Sequence, residues 1–374
     1  MAILFQFPYR TVAEISLRDL VKNLVTLRMK CKKEIIPVIK ADAYGHGMIP
    51  VAKALVSRGS ARCLAVATLE EALDLRKKLP QGVNILVLSG FLPHQLDAYV
   101  KFHLIPVVHS LHHLKSLLGR TALPEIHLKM DTGMNRLGLL DSELPEAIRV
   151  LEKLKIKLAG LMTHFAESES ATSHFVDTQI SAFEGFYREL TMRKLLQTDA
   201  RIHVGNSGAL LRSKLSISNS VRPGLGLYGI SPNPRLDAGS DLLPALQWKA
   251  RVLCLKGISK GDTVGYGRTY KAKKKERLAI IPIGYADGYP RILGNNGEVL
   301  IHGKRMRIRG RISMDLTAVD CSNVHGVREG TVVTLIGRDG RDYIGAWDIA
   351  HWAGTIPYEI LCGLSLRVPR VYLD

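Results

Sequence analysis

Acidic residues are in short supply. Against 34 Asp and Glu stand 52 Lys and Arg in 374 residues, a formal net charge of +18. Such an excess attracts phosphate backbones nonspecifically, but here it is dispersed. The one dense cluster, KAKKKER at 271–277, is short and lacks the interleaved aromatics that stack on bases. It reads as a solvated turn, and no nucleic-acid partner is expected. HGKRMRIRGR at 302–311 alternates basic with apolar residues, the pattern of a half-exposed strand. Cysteine is scarce as well: Cys31, Cys63, Cys254, Cys321 and Cys362 show neither CxxC nor zinc-finger spacing. That argues against a disulfide or metal framework and for reduced, mostly buried thiols; no metal is assigned. No apolar run approaches the length needed to span a bilayer. The N-terminal MAILFQFPYR lacks a basic n-region and a small-residue cleavage site. The expectation is a cytoplasmic protein without a membrane partner.

What is present is a globular composition, 46% hydrophobic, in a chain long enough for two domains. Residues 11–15 read as a strand leading into an amphipathic helix over 17–31, with Leu20, Leu24 and Leu27 on one stripe. Strand-like runs follow at 35–40, 63–67, 84–88, 104–108, 125–130, 158–163, 201–204 and near 219–222. Helical patterns such as LEEALDLRKKL and ELPEAIRVLEKL separate most of them. This rhythm predicts an α/β fold, an N-terminal (β/α)8 TIM-type barrel over 12–239. SPNPRLDAGSDLLP then reads as a linker, and from about 245 short alternating strands with glycine turns predict a C-terminal all-β domain, 240–374.

Barrel enzymes place their chemistry at the carboxyl ends of the strands. Lys40 follows the first run, Lys129 and Asp131 the fifth, His164 the sixth, Asn206 and Ser207 the seventh, and Arg222 the eighth. Their shared topological position implies one site. Lys40, at the rim of the apolar run IIPVI, is partly desolvated, which favours the neutral amine needed to attack a carbonyl. In ADAYGHG, Tyr44 and His46 stand between small residues, so that backbone and phenol can approach one ligand closely.

The blocks VIKADAYGHG, HLKMDTGMNRLG, THF, VGNSG, VRPGLGLYG, GYGRTY, IPIGYADG, GRISMD and TIPYE, in this order between Tyr9 and Tyr372, resemble the alanine racemase family. The resemblance implies pyridoxal 5'-phosphate as cofactor and interconversion of L- and D-alanine by two bases, supplying D-alanine for peptidoglycan. Lys40 is then the Schiff-base lysine and one base, and Tyr266 in GYGRTY the other. Cofactor binding falls to Tyr44, Asn206, Ser207, Gly224, Leu225 and Tyr358, with the two tyrosine hydroxyls on the phosphate. Arg222 faces the pyridine nitrogen and keeps it unprotonated, a poorer electron sink that disfavours transamination, with His164 as ring neighbour.

By the same resemblance Arg136 orients the substrate carboxylate or the cofactor phenolate oxygen. Met314 contacts substrate, Tyr285 with Tyr358 narrows the entrance, and Lys129 is a candidate for carbamylation. Family members are head-to-tail homodimers in which the tyrosine enters the partner's site, and about residues 1–11 join the β domain. Two positions depart from the usual pattern, Asn135 where many relatives have glycine and Gly208 where alanine is usual. The alternative is a broad-specificity amino-acid racemase of the same fold. A barrel-fold decarboxylase has no use for Tyr266, and a noncatalytic pyridoxal-phosphate-binding protein typically lacks the β domain.

Overall fold

Why eight strands close into a barrel is visible in their burial. Cys63–Val66, Ile105–Val108 and Leu158–Met162 are covered on both faces, as parallel strands wrapped in helices must be. The computed structural model describes residues 8–170, 174–212, 216–233 and 241–374, which divide into two units. One comprises Leu20–Ala43 and Met48–Leu243; the other holds residues 8–19, 44–47 and 244–374.

In the first unit the eight strands are Glu34–Ile35, Cys63–Val66, Asn84–Val87, Ile105–Val108, His127–Lys129, Leu158–Met162, Leu196–His203 and Ser220–Val221. Each pairs in parallel with the next from the second onward, and the eighth pairs in parallel with the first. Ile39 N–H donates to Ala65 O (2.9 Å) and Ala65 N–H to Pro37 O (2.9 Å), closing the ring between first and second strands. Helices supply the outer layer. Leu144–Leu154 buries Leu144, Ala147, Ile148, Val150 and Leu151 on one stripe. Leu69–Arg76 starts in a capping box between Thr68 and Glu71. The helix expected over 17–31 is present as Leu17–Cys31, with Leu20, Leu24 and Leu27 buried.

The second unit is built mainly on antiparallel pairs, with Thr11–Ser16 and Arg370–Leu373 parallel. A sheet runs in the order Lys304–Arg307, Glu298–Ile301, Val332–Asp339, Leu246–Arg251, Thr11–Ser16 and Arg370–Leu373, with Asp342–Ile344 beside Val332–Asp339. A smaller sheet joins Cys254–Ile258, Glu276–Ile281 and Thr317–Asp320. Thr11–Ser16, which the barrel boundary at residue 12 placed with the barrel, is held here by a ladder to Leu246–Arg251. Trp248 Nε1–H donates to Thr11 Oγ1 (2.9 Å), and Lys249 pairs with Glu14 at 2.6 Å. Two helices, Ala346–Ala353 and Pro357–Cys362, complete the unit. Of the segment about 1–11, residues 1–7 lie outside the described residues, as do 234–240 of the expected linker.

Three local expectations resolve differently. Lys273 to Lys275 form the exposed turn foreseen for the lysine cluster, but Ala272 and Glu276 beside them are buried. Over 302–311 only Lys304–Arg307 is a strand, because Gly303 and Gly310 at positive φ bend the chain on either side. The five thiols are free, but only Cys63 and Cys321 are buried, while Cys362 is exposed.

Candidate active site

Lys40 does not end a long strand. After the bridge at Val38 the backbone turns left-handed, with φ of 52°, 52°, 54° and 54° at Ala41, Asp42, Ala43 and Tyr44. Such a turn costs L-residues roughly 1–2 kcal/mol each, so it must be held from outside. Ala41 N–H donates to Glu71 Oε1 (2.7 Å), Met48 N–H to Asp42 Oδ1 (2.7 Å) and Ala43 N–H to Ile39 O (2.9 Å). Glu71 Oε2 also accepts from Ala67 N–H at 2.8 Å, so one carboxylate pins the turn to the start of a helix. The glycines of YGHG serve the chain itself. A Cβ on Gly45 would overlap Leu361 O, and one on Gly47 would overlap Tyr372 Oη, so they admit protein backbone and phenol where a ligand approach was expected.

Arg222 follows the eighth strand and is buried, 3% exposed. Its guanidinium donates to Thr163 O (2.8 Å) and His203 O and lies 2.6 Å from His203 Nδ1 and 3.4 Å from His164 Nδ1. Every one of these partners is neutral. Burial draws its pKa down to about 9. His164 is pushed down to about 3, by burial first and then by Arg222, Lys129, Arg136 and Lys40. Lys129, at the end of the fifth strand, falls to about 8, by burial and then by Arg222 and Arg136. Lys129, His164 and Arg222 therefore lie close enough to feel one another's charge.

Asp131 organises the loop after Lys129. Its Oδ1 accepts N–H bonds from Gly133, Met134 and Asn135 at 2.9, 3.0 and 3.1 Å, and its Oδ2 one from Arg136 at 3.2 Å. Arg136 is thereby placed at an exposed position. Asn135 sits at φ 54°, a left-handed position that asparagine tolerates and glycine prefers, so the departure from the usual glycine keeps the backbone. Gly208 also has a cause. An added Cβ would sit 2.8 Å from Ser168 Oγ and 2.9 Å from Ser168 C, so the close-lying loop leaves no room for alanine.

Ser207, 4% exposed, accepts on Oγ from Gly224 N–H (2.9 Å) and Gly226 N–H (3.1 Å), while Asn206 Oδ1 caps Ala209 N–H at 3.1 Å. Leu225 begins the short turn Leu225–Tyr228 and is buried. Ser207, Gly224 and Leu225 are therefore gathered. The sequence reading missed Gln179, which is fully buried and donates to His164 O (3.1 Å) and Thr132 Oγ1 (3.2 Å) while accepting from Ala166 N–H (3.0 Å). It also missed His127 and His203. A polar residue inside otherwise apolar runs was the available signal in HLK and RIHV.

The remaining expected residues lie in the second unit. Tyr44 and Tyr358 pack ring to ring, centroids 5.9 Å apart, and burial pushes the Tyr44 phenol pKa up. Tyr266 stands in a turn between Gly265 (φ 70°) and Gly267 (φ 69°), positions only glycine occupies at ease. Tyr266, Met314 and Tyr285 are 71%, 52% and 44% exposed.

Residues 15–232 match the family described as alanine racemase, N-terminal domain, and residues 245–372 the alanine racemase, C-terminal domain. This chain belongs to the alanine racemase family. An alanine racemase of Halothermothrix orenii is 42% identical over 370 residues, covering 97% of this chain and 96% of that one. The alanine racemase of Bartonella henselae with covalently bound pyridoxal phosphate superposes with a TM-score of 0.89 at 31% identity, covering 98% of this chain and 100% of that one. That of Bacillus anthracis with bound L-Ala-P gives 0.90 at 34% identity, over 98% and 96% of the two chains. Alanine racemases of known structure thus share both the barrel and the β unit with this chain.

Proposed function

We infer that this protein is a pyridoxal 5'-phosphate-dependent alanine racemase, an isomerase that interconverts L- and D-alanine and supplies D-alanine for peptidoglycan. What supports the reading is the mutual influence of Lys40, Lys129, His164 and Arg222 at the ends of the barrel strands, in a chain similar end to end to these enzymes. The donor set fits the cofactor. A buried guanidinium whose hydrogen bonds go to neutral groups suits an electron-rich ring nitrogen, and the glycine turn drawn onto Ser207 Oγ offers the close backbone approach that a phosphate would use.

When bound, pyridoxal phosphate supplies the electron sink that makes the α-proton of alanine removable. Lys40 would hold it and, as a free amine, would give or take a proton at Cα on one face. Tyr266 does so on the other face, since inversion needs two opposed acid–base groups. Arg222 keeps its own protons and so leaves the ring nitrogen an acceptor. His164, held neutral, would lie beside the ring. Ser207, Gly224 and Leu225, with Asn206, Tyr44 and Tyr358, bind the phosphate side. Arg136 orients the substrate carboxylate or the cofactor phenolate oxygen, Met314 meets substrate, and Tyr285 with Tyr358 restricts entry to a small side chain. Lys129, with a pKa of about 8, offers the neutral amine that carbamylation requires, and the resulting carboxylate would hold Arg136.

The active form is a homodimer in which Tyr266 of each copy serves the other's barrel. High exposure of Tyr266, Met314 and Tyr285 in the single chain supports this, because three functional side chains on a bare surface await a partner. We place the enzyme in the cytoplasm. Five free cysteines suit a reducing compartment, and among the described residues no helix is long and apolar enough to cross a membrane. The same reading divides the chain near residue 240, with Thr11–Ser16 joining the C-terminal β unit.

Chiral chromatography of L-alanine, L-serine and L-lysine after incubation with purified protein, with and without pyridoxal phosphate, tests the function. Cofactor-dependent D-alanine, formed much faster than the other products, is expected. Comparable racemisation of all three would instead make this a broad-specificity racemase.

A further inference from the structure

Behind Arg222 lies a pair of imidazoles that the reading above leaves without a task. His127, in the fifth strand, and His203, at the end of the seventh, are both fully buried, with ring centroids 4.8 Å apart. His127 Nδ1 lies 2.7 Å from His203 Nε2, and His203 Nδ1 lies 2.6 Å from Arg222 Nη1. The protons can be assigned by elimination. A guanidinium only donates, so His203 Nδ1 carries a lone pair and its proton sits on Nε2. That N–H faces His127 Nδ1, which must also carry a lone pair. The His127 proton is left on Nε2, where it meets no acceptor among the described residues. One charged donor thus sets the tautomer of two rings in series.

Such an arrangement is costly to bury, and the neighbouring strand is shaped to admit it. His127 pairs in register with Gly160 of Leu158–Met162. A Cβ on Gly160 would sit 2.5 Å from His127 Nδ1, so glycine here makes space for the ring. Its φ lies outside the positive range, so backbone conformation gives no other reason for glycine. Two observations, the donor–acceptor chain and the notch, therefore point to His127 as a placed group.

We propose that His127 is a positioning residue of the racemase: by accepting from His203 it holds that ring with Nδ1 toward Arg222, and so fixes the guanidinium that faces the cofactor's ring nitrogen. The proposal rests on the assignment of Arg222 given above. Without His127 the His203 Nε2–H loses its acceptor, the ring is free to turn over, and Arg222 loses a neutral acceptor while its bonds to Thr163 O and His203 O remain. The guanidinium then stands less squarely to the ring nitrogen, and protons return to Cα with less fidelity.

The test uses holoenzyme of His127→Leu, His127→Asn and Gly160→Ala, each checked for full cofactor loading by absorbance. Side-chain nitrogen NMR of histidine-labelled protein reads the His203 tautomer. The number of transamination events per racemisation turnover reads the fidelity. Wild type should show His203 with its proton on Nε2. His127→Leu should give mixed tautomers and raise transamination per turnover about tenfold, the scale expected when a catalytic-site group is slightly misplaced. Asparagine, whose Oδ1 can replace the Nδ1 acceptor, should restore both. Gly160→Ala pushes the same ring and should act like His127→Leu, which keeps the test alive if the leucine variant does not fold. Wild-type tautomer and wild-type fidelity in either fully loaded variant would overturn the proposal. A wild-type protein that has the tautomer but neither binds pyridoxal phosphate nor racemises alanine would leave the relay intact and refute the assignment of Arg222 instead.

Discussion

Glu71 takes no part in the proposed proton transfer, yet its carboxylate helps to hold the left-handed turn after Lys40. Four L-residues at φ near 53° carry, at ~1–2 kcal/mol each, ~4–8 kcal/mol of backbone strain. Three hydrogen bonds hold residues 41–43 of this turn, and the one to Ala41 N–H comes from the Glu71 carboxylate at 2.7 Å. The same carboxylate accepts from Ala67 N–H (2.8 Å) and Thr68 N–H (3.3 Å). Glu71→Ala removes all three. A hydrogen bond to a charged group is worth ~1.5–3 kcal/mol, but water replaces part of it at these accessible positions, leaving a loss of ~2 kcal/mol. Hydrogen exchange followed by NMR or mass spectrometry should show the Ala41 amide opening ~30-fold faster, the equivalent of that loss. With the turn loosened, Lys40 is held less well, and kcat should fall ~10-fold with cofactor still bound. Glu71→Gln, which keeps a carbonyl acceptor but not the charge, should lie between. An unchanged Ala41 exchange rate in Glu71→Ala would refute the idea that this carboxylate holds the turn.

Other outcomes are expected from the same geometry. Gly208→Ala should destabilise the protein by ~1–3 kcal/mol, read from the urea midpoint, because the Ser168 loop must move aside; an unchanged midpoint would show that the loop yields freely. His127 and His164 have folded pKa values of about 3 against 6.5 unfolded, so the unfolded chain takes up protons first as pH falls. Each should therefore remove stability below pH 6.5 and down to about 3, by at most ~1.4 kcal/mol per pH unit, visible as falling urea midpoints. Midpoints independent of pH across that window would contradict neutral burial. For Lys129, intact-mass measurement in bicarbonate should show more of the carbon dioxide adduct at pH 8 than two units lower, where the amine is protonated; no adduct at either pH would remove the carbamylation proposal.

Much of the site could be read from residue order, because the β/α rhythm assigns every polar residue after a strand to one end of a barrel. Residue order alone assigns Lys40, His164, Ser207 and Arg222 to that end. What escaped was conformation without a one-residue signature. ADAY carries no glycine to announce a left-handed turn, and the bonds that hold it, from Glu71, Asp42 and Ile39, show only in the folded chain. His127 and Gly160 look like ordinary strand residues until the register brings them opposite each other. The strand Thr11–Ser16 precedes the barrel helix in sequence, and its true neighbours, Leu246–Arg251 and Arg370–Leu373, lie more than two hundred residues away. Pairings that distant leave no trace in local periodicity. Conversely, the two departures from family pattern proved to be local steric matters, a left-handed asparagine and a glycine under a close loop.

Opposed proton transfer by Lys40 and Tyr266 is tested most directly by Tyr266→Phe in deuterium oxide, with exchange of the α-hydrogen measured separately from L-alanine and from D-alanine. With absorbance of the held cofactor unchanged, exchange from L-alanine should fall ~10²–10⁴-fold and from D-alanine far less, as loss of one of two acid–base groups requires. Equal exchange from both enantiomers, or wild-type exchange from L-alanine, would contradict the assignment of Tyr266 as the second base.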